Sequence, residues 1–480
     1  MKSSCCVALL LLLGSVAVNA QAVSTTWQGR FLSNGELHRM VLQAEEAADG
    51  HWTLRSVAIE FLSDAVHLDS ASIQDGHLTA STNTGKGLFD ARLDAAAGII
   101  DGTWVWNNQP TIVRLQRVSS EVAWHTPMNY QYHHKDITYA RPSFDEPKIP
   151  FSPRLAVDYM EQGAMAWTEE HGCISCHSNG TYMMVRPLMA KDLGAPQQAM
   201  HDFWLSELKT ALAADPKQRS GKSDGTEAVY LAAGLAIWDA QVLHHLSPET
   251  VQALDLMFQF QRPAGDWYIE DDVNPPFESS PYQVATVAAR AVANAPGWLA
   301  EQHGAATASH VELLKHYLRT PQKMQGDYDR TDLLWTATEY PGLLDARQKR
   351  DLVEMIFAHQ QFDGGWSIRS FALPEEWGRG TRAAKLRSET EFSFPQSDGH
   401  MTGLAIIALR KAGIPSSDPR IQRGVNWLLS NQRSSGRWWT RSLIGDGWQF
   451  ISYSGTAYPM LALSLCNALP KAQATLRAEH

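Results

Sequence analysis

Residues 173–177 read Cys-Ile-Ser-Cys-His, in a chain with five cysteines among 480 residues. Two thiols two residues apart, followed at once by an imidazole, can serve several chemistries. C-x-x-C-H is the attachment motif for c-type haem: the thiols form thioethers and the histidine is the proximal iron ligand. The same spacing suits a local disulfide, a redox dithiol or half of a zinc site. Zinc needs two more ligands, and no second paired Cys/His motif is present. A thioredoxin-like dithiol needs a βαβ setting that the flanking residues lack. We therefore expect covalent haem c at Cys173, Cys176 and His177, with a Cys173–Cys176 disulfide as the alternative. For the distal iron position Met183, Met184, Met189, His171 and His201 are nearby, and spacing singles out none of them. Five-coordinate iron would leave an open site. Cys466, in the apolar run LALSLCNAL, reads as a buried small hydrophobe.

Haem is attached to this motif outside the cytoplasm, so the N-terminus bears on the question. Met1–Ala20 carries one Lys, an apolar run centred on Leu9–Leu13 and a small-residue end at Val18-Asn19-Ala20. This is the pattern of a secretory signal peptide, too short and wrongly flanked for a membrane helix. Cleavage near Ala20 would remove Cys5 and Cys6 and leave Cys173, Cys176 and Cys466. No other apolar run is long enough to span a bilayer, so the mature chain is expected to be periplasmic or secreted, without a transmembrane segment. The net charge of −10 and the lack of any basic cluster exclude a nucleic-acid binder. An apolar share of 44% and a charged share of 19% describe an ordinary globular protein.

Three regions must position these residues. From Thr25 to Val118 the pattern is β, with Asp49-Gly50, Asp75-Gly76 and Asp101-Gly102 spaced by 26 residues. Asp-Gly is the type I′ hairpin signal, and a meander of this size predicts a small all-β barrel or sandwich over residues 24–119. Residues 120–153 are polar, aromatic and proline-bearing, and are expected to form an extended linker with His133 and His134 solvated. From Ser152 the period becomes helical. Ser152-Pro153, Ser247-Pro248 and Asp418-Pro419 are helix starts, and Asp345 with Gln348 forms a capping box.

Three of these helices end alike: FQRPAGDW (Gln261, Gly265, Trp267), QQFDGGW (Gln360, Gly364, Trp366) and NQRSSGRW (Gln432, Gly436, Trp438). A repeated Gln-x-x-x-Gly-x-Trp after an amphipathic helix marks a repeated supersecondary unit. We expect the Gln amide to serve helix-end carbonyls, the Gly to supply a left-handed cap and the indole to stack back over the helix end. The motif resembles the Q-W motif of squalene–hopene cyclases and related terpenoid cyclases, most closely in Asp363–Trp366 and in SDGHMTGLAIIALRKAG. More narrowly, the chain resembles exported bacterial relatives of those enzymes with C-x-x-C-H near the first helix. The resemblance covers roughly Ser152 to Leu469. It implies a mostly α fold, an α/α toroid over 154–470, around an aromatic-rich cavity for a lipophilic, isoprenoid-like ligand.

The family's catalytic pattern is altered. Class II cyclases protonate a polyene with the middle Asp of Asp-x-Asp-Asp-Thr-Ala; the nearest residues here are DYDRT, Asp327–Thr331, which would make Asp329 the acid. Arg330 beside it is expected to hold that carboxyl ionised, in a surface ion pair. Asp398 and His400, Glu278 and the cluster Glu270-Asp271-Asp272 are further candidates, with helix capping the competing role for Asp398. Three functions follow. The first is an exported c-type haem protein whose toroid holds an apolar molecule, acting as oxidoreductase or electron carrier with a redox partner. The second is a terpenoid cyclase or isomerase acting by protonation. The third is a non-catalytic lipid- or partner-binding module.

Overall fold

Apolar and polar residues that alternate along residues 23–118 become the two faces of one antiparallel sheet. The structure is a computed structural model and describes residues 23–470 apart from 34–35, 47–51, 59–65, 69, 82–86, 107–108, 120–129, 215–222, 270–274, 302, 321–323 and 445–448. The signal peptide, Asp49-Gly50 and the Glu270-Asp271-Asp272 cluster lie outside the described residues. The chain divides into two compact units, residues 1–126 and 127–480.

In the first unit the strands are β1 (Val23–Ser33), β2 (Glu36–Glu46), β3 (Trp52–Ala58), β4 (Val66–Leu68), β5 (Ser70–Gln74), β6 (His77–Ser81), β7 (Gly87–Asp94), β8 (Ile99–Trp106) and β9 (Gln109–Val118). They hydrogen-bond in the order β4-β3-β2-β1-β9-β8-β7-β6-β5, and the sheet curls so that β5 also meets β3. Trp27, Met40, Leu42, Phe89, Ile100, Trp104 and Leu115 fill the inside. Asp75 and Gly76 both have positive φ, as a type I′ turn requires. Asp101-Gly102, expected as a turn, instead lies inside β8, opposite Arg92 and Ala91 of β7. Gly102 is needed there because a Cβ would strike the Ala91 backbone.

The second unit begins with a finding about the expected linker. Residues 130–140 form a hairpin, β10 (Tyr130–His134) and β11 (Ile137–Ala140), packed on α1 (Pro153–His171). Tyr132 and Gln131 are buried, and His134 pairs with Glu169 at 2.6 Å rather than facing water alone. The segment is ordered because its tyrosines bury apolar surface against α1 and Tyr453.

Twelve main helices, among the described residues, make two rings. The outer ring is α1, α4 (Gln198–Ala213), α6 (Pro248–Gln259), α8 (Ala305–Arg319), α10 (Ala346–Ala358) and α14 (Pro419–Asn431). The inner ring is α2 (Asn179–Val185), α5 (Ser223–Trp238), α7 (Pro281–Asn294), α9 (Asp327–Glu339), α13 (Gly399–Lys411) and α15 (Ile451–Leu465). The short helices α3 (Ala190–Leu193), α11 (Ala383–Ser388) and α12 (Thr390–Ser393) lie in connections. Each inner helix packs on the next, and α15 returns to α2, so the ring closes. Inner helices such as α7 and α15 are buried nearly all round because they are covered on both sides. The fold is an α/α toroid in one unit and a barrel-like β-sheet in the other.

The Gln-x-x-x-Gly-x-Trp turns bind the outer ring together. Each indole N–H donates to the carbonyl ten residues earlier, at 2.8–2.9 Å: Trp267 to Met257, Trp366 to Ile356 and Trp438 to Leu428. Each Gln Nε2 donates to the carbonyl of its own turn glycine and to a carbonyl of the next outer helix or its cap: His310, Arg420 or Ser152. The amide thus serves a neighbouring helix as well as its own turn, which extends the sequence-based expectation. The three glycines have φ of 95°, 96° and 85°. The third turn reaches Ser152, the cap of α1, and so closes the outer ring.

Candidate functional site

Side chains from non-adjacent inner helices meet in the middle of the ring. Trp335 of α9 and Tyr458 of α15 approach edge-on, ring centroids 6.2 Å apart, although α13 stands between their helices. Hydrogen bonds between first turns show that the inner helices run parallel. Ser280, which caps α7, bonds Asp329 of α9, and Tyr328 of α9 bonds His400 of α13. His400 in turn bonds Ser454 of α15. The N-terminal ends therefore share one mouth, where the helix dipoles and polar first-turn residues gather.

The Cys-x-x-Cys-His segment lies at this mouth. Helix α1 ends at Gly172 with φ of 64°, as its sequence suggests, and the five residues cross to α2. Cys176 and His177 are buried and Cys173 is half-buried; both cysteines are thiols. The His177 ring lies parallel to Phe450 at 4.5 Å and edge-on to Trp167 at 4.6 Å, and its Nδ1 is 2.9 Å from Ser178 Oγ. Burial, and secondarily His171, lowers its pKa to about 3, so the imidazole is neutral, the form that binds metals. Covalent haem needs an open slot beside both thiols, with Nε2 at its edge. The cavity that touches the motif does so at Ile174 and holds about 190 Å³, below the ~300–1,000 Å³ of sites that hold drug-sized ligands. Haem at this motif would need more room than that cavity provides. Of the distal candidates, Met183, Met184 and Met189 are core residues, His171 stacks on Trp167 at 3.7 Å, and His201 stacks on Trp238 at 4.6 Å. Cys466 is buried at the end of α15, and burial raises its pKa to about 11.

Asp329 differs most from expectation. Arg330 does not pair with it: Arg330 reaches back three residues to Asp327 at 2.5 Å, and His359 holds the other oxygen of Asp327 at 2.8 Å. The reason is helical phase, since residues three apart share a face and consecutive ones do not. Asp329 is buried and accepts a hydrogen bond from Ser280 at 2.6 Å. Burial is the main cause that raises its pKa to about 6, with Glu376 adding and Ser280 opposing. Beside it, Tyr328 packs against Trp377 and His400. Ser454 Oγ donates to the Ile451 carbonyl, so it must accept from His400 Nδ1, and His400 Nε2 then accepts from the Tyr328 hydroxyl at 3.1 Å. Burial lowers the His400 pKa to about 3 and keeps the ring neutral. A second cavity, about 440 Å³, opens over the start of α9 beside Asp327, Leu373 and Glu376.

Asp398 is a structural cap. Its carboxylate accepts from the Met401 and Ile368 backbone at 2.9 and 2.7 Å. Burial raises its pKa to about 6 against those bonds. Glu278, half-buried with φ of 51°, lies close enough to Tyr230 to raise the phenol's pKa.

No protein-family model and no curated protein matches the chain. Solved structures of the type II terpene cyclase MstE from Scytonema are similar to it. Two of them are variants in complex with geranylgeranyl dihydroxybenzoate, 15% and 14% identical with TM-scores of 0.37; the apo form is 14% identical with a TM-score of 0.35. All three cover 66% of this chain and 99% of their own.

Sequence reasoning missed a buried charged cluster deeper in the ring. Asp332, one turn beyond Asp329, has its pKa raised to about 7, by burial first and then by Asp329. Arg290 on α7 stacks over Trp335 at 3.6 Å and bonds Glu339 through Nε at 3.2 Å. Glu339 also takes Lys411, Asn294 and Trp335. Burial pushes its carboxyl up, but Arg290 and Lys411 win and hold it at about 2. Arg290 is the one charged residue of PYQVATVAARAVAN, and a lone arginine in a helix buried all round was the available signal.

Proposed function

We propose that the toroid takes an unsaturated, lipophilic, isoprenoid-like molecule into its lumen and transfers a proton to it from Asp329, as an isomerase or cyclase. The observation that carries this reading is a buried carboxyl group on α9 that Ser280 hydrogen-bonds, while the neighbouring Arg330 turns to Asp327 instead. Proton transfer from Asp329 converts a double bond to a C–H bond and a carbocation, leaving a carboxylate. Tyr328, Trp377, Phe277 and Tyr458 offer π faces to that cation. Loss of a proton from the adjacent carbon ends the reaction. Tyr328 accepts that proton while passing its own to His400, and a carbocation is acidic enough for so weak a base. An acid of pKa 6 protonates an activated double bond far more readily than an isolated one.

The test is turnover of polyprenyl compounds by the mature chain, with products separated by gas chromatography, for the wild type and Asp329→Asn. Asp329→Asn should bind but not convert. Equal conversion by the variant overturns the proposal. From the N-terminal sequence we also propose a periplasmic or secreted location.

A second reading keeps covalent haem c and a redox partner. It is supported by the motif and by the neutral His177, and opposed by the packing around both. A pyridine haemochrome spectrum of protein made with c-type cytochrome maturation decides it: a covalent spectrum establishes the reading, and its absence removes it.

A further inference from the structure

Four charged side chains stand on the wall of the cavity of about 440 Å³ at the start of α9: Asp327, Arg369, Glu376 and Arg387. Three of them are engaged by charged partners. Asp327 takes Arg330 and His359, and Arg369 holds Glu389 through Nε and Nη2 at 2.9 and 2.7 Å. Arg387 grips Glu375 with two bonds of 2.6 Å. Glu376 is the exception. Its Oε2 accepts from the Leu373 backbone at 2.6 Å, and among the described residues no hydrogen bond or ion pair takes its Oε1. The wall thus keeps one carboxylate oxygen without a protein partner.

That carboxylate is held in place, unlike a surface side chain that swings free in water. The Leu373 bond fixes one oxygen, and the other stands 3.6 Å from where a Cβ of Gly326, the cap of α9, would be. A negative charge over a helix N-terminus is also favoured by the helix dipole. A charge fixed in advance loses little freedom when it binds. Around it Phe371, Leu373, Pro374 and Phe392 supply apolar wall. The volume lies within the ~300–1,000 Å³ of small-molecule sites, and Glu376 is exposed, so the cavity is open to a ligand. One oxygen among apolar groups is a poor site for a hard metal ion, which takes about six or more oxygens. No group of three His, Cys, Asp or Glu among the described residues could hold a metal. The wall suits a cation that needs one anionic contact and has alkyl groups to cover.

We propose that this cavity binds a small organic ammonium ion, its positive nitrogen against Glu376 Oε1 and its alkyl groups on Phe371, Leu373 and Phe392. Arg369 and Arg387 do not turn the cavity into an anion site, because each already holds a carboxylate. The aromatic rings add to the attraction, since a ring face favours a cation. Asp329 is not among the residues that line this cavity. The inference therefore stands apart from proton transfer by Asp329 and does not depend on it.

The experiment compares three probes of one shape by isothermal titration calorimetry at low salt: choline, its uncharged isostere 3,3-dimethylbutan-1-ol and the anion 3,3-dimethylbutanoate. The wild type should bind choline about 10-fold more tightly than the alcohol, as expected for a cation held by a fixed carboxylate beside aromatic rings. It should bind the anion no better than the alcohol. The preference for choline should shrink when salt is added. Glu376→Gln keeps the shape of the side chain and an acceptor for Leu373, and should bind choline and the alcohol alike. A thermal melt shows that the variant is folded. Equal affinity of choline and the alcohol for the wild type, a preference for the anion, or no binding of any probe overturns the inference. So does a preference for choline that a folded Glu376→Gln retains, which assigns the cation to other carboxylates. None of these outcomes bears on the turnover of polyprenyl compounds, which is tested separately with Asp329→Asn.

Discussion

Asp329→Asn should make the protein more stable as it makes it inactive, and the gain should depend on pH in a defined way. An aspartate of ordinary pKa, about 3.9, is ionised in the unfolded chain above that value. In the toroid the same carboxyl holds its proton to about 6. A raised carboxyl pKa means that the folded state binds the proton more tightly. Stability therefore falls as pH rises from about 3.9 to about 6 and is level on either side, as far as this group decides it. A shift of about two units at about 1.4 kcal/mol per unit corresponds to ~3 kcal/mol lost by pH 7. Asparagine keeps the shape and the acceptor for Ser280 and carries no charge to desolvate. The variant should match the wild type near pH 4 and exceed it by ~1–3 kcal/mol at pH 7.5, the lower end allowing for Asp332, whose own pKa falls once Asp329 is neutral. Guanidinium unfolding of both proteins at pH 4.5, 6 and 7.5, followed by tryptophan fluorescence, reads the difference. A variant that is destabilised by the same amount at all three pH values refutes the reasoning. It would mean that the carboxyl contributes hydrogen bonds and no buried charge.

Other outcomes follow from the same geometry. Activity carried by protonated Asp329 should fall with unit slope as pH rises through about 6, and a pH–rate profile that is flat from 5 to 8 contradicts that role. Gly436→Ala places a Cβ 2.6 Å from the Leu155 backbone at a φ of 85°; it should cost about 2–4 kcal/mol, read by urea unfolding, with Gly413→Ala as a control for positive φ without the clash. Glu339→Gln leaves Arg290 and Lys411 without their shared carboxylate and should cost about 3–5 kcal/mol at neutral pH. Because the Glu339 pKa is depressed to about 2, that cost should shrink as pH falls from about 4 toward 2.

How far the sequence reached depends on the range of the interactions. The Gln-x-x-x-Gly-x-Trp turns were legible because most of their chemistry lies within ten residues: a glycine that only left-handed backbone explains, and an indole returning to its own helix. The end of α1 at Gly172 was legible for the same reason. Asp329 was misread because adjacency in sequence was taken for adjacency in space, whereas helical phase turns Arg330 toward Asp327. Tyr328, His400 and Ser454 come together only when α9, α13 and α15 take their places in the ring, and no local pattern announces that. Residues 130–153 read as part of a linker because their prolines and polar residues are visible locally, while some of their partners, Phe450, Tyr453 and Arg437, are about 300 positions away.

Those distant contacts bear on how the chain reaches its folded state. Ile149 donates to the Gln432 carbonyl, Ser434 to that of Pro147 and Arg437 to that of Ala140, while Gln432 and Ser152 exchange two bonds across 280 residues. The β10–β11 hairpin and the residues after it are therefore the clasp of the ring. Residues near 150 are made first and find their partners last, so the clasp carries the full entropic cost of a very long loop. Until α14 and its turn arrive, α1 presents an uncovered apolar face. A chain that lacks its last repeat should consequently behave as an open, sticky arc rather than as a smaller ring, and the seam between residues 131–152 and 431–438 is where the toroid becomes one cooperative body.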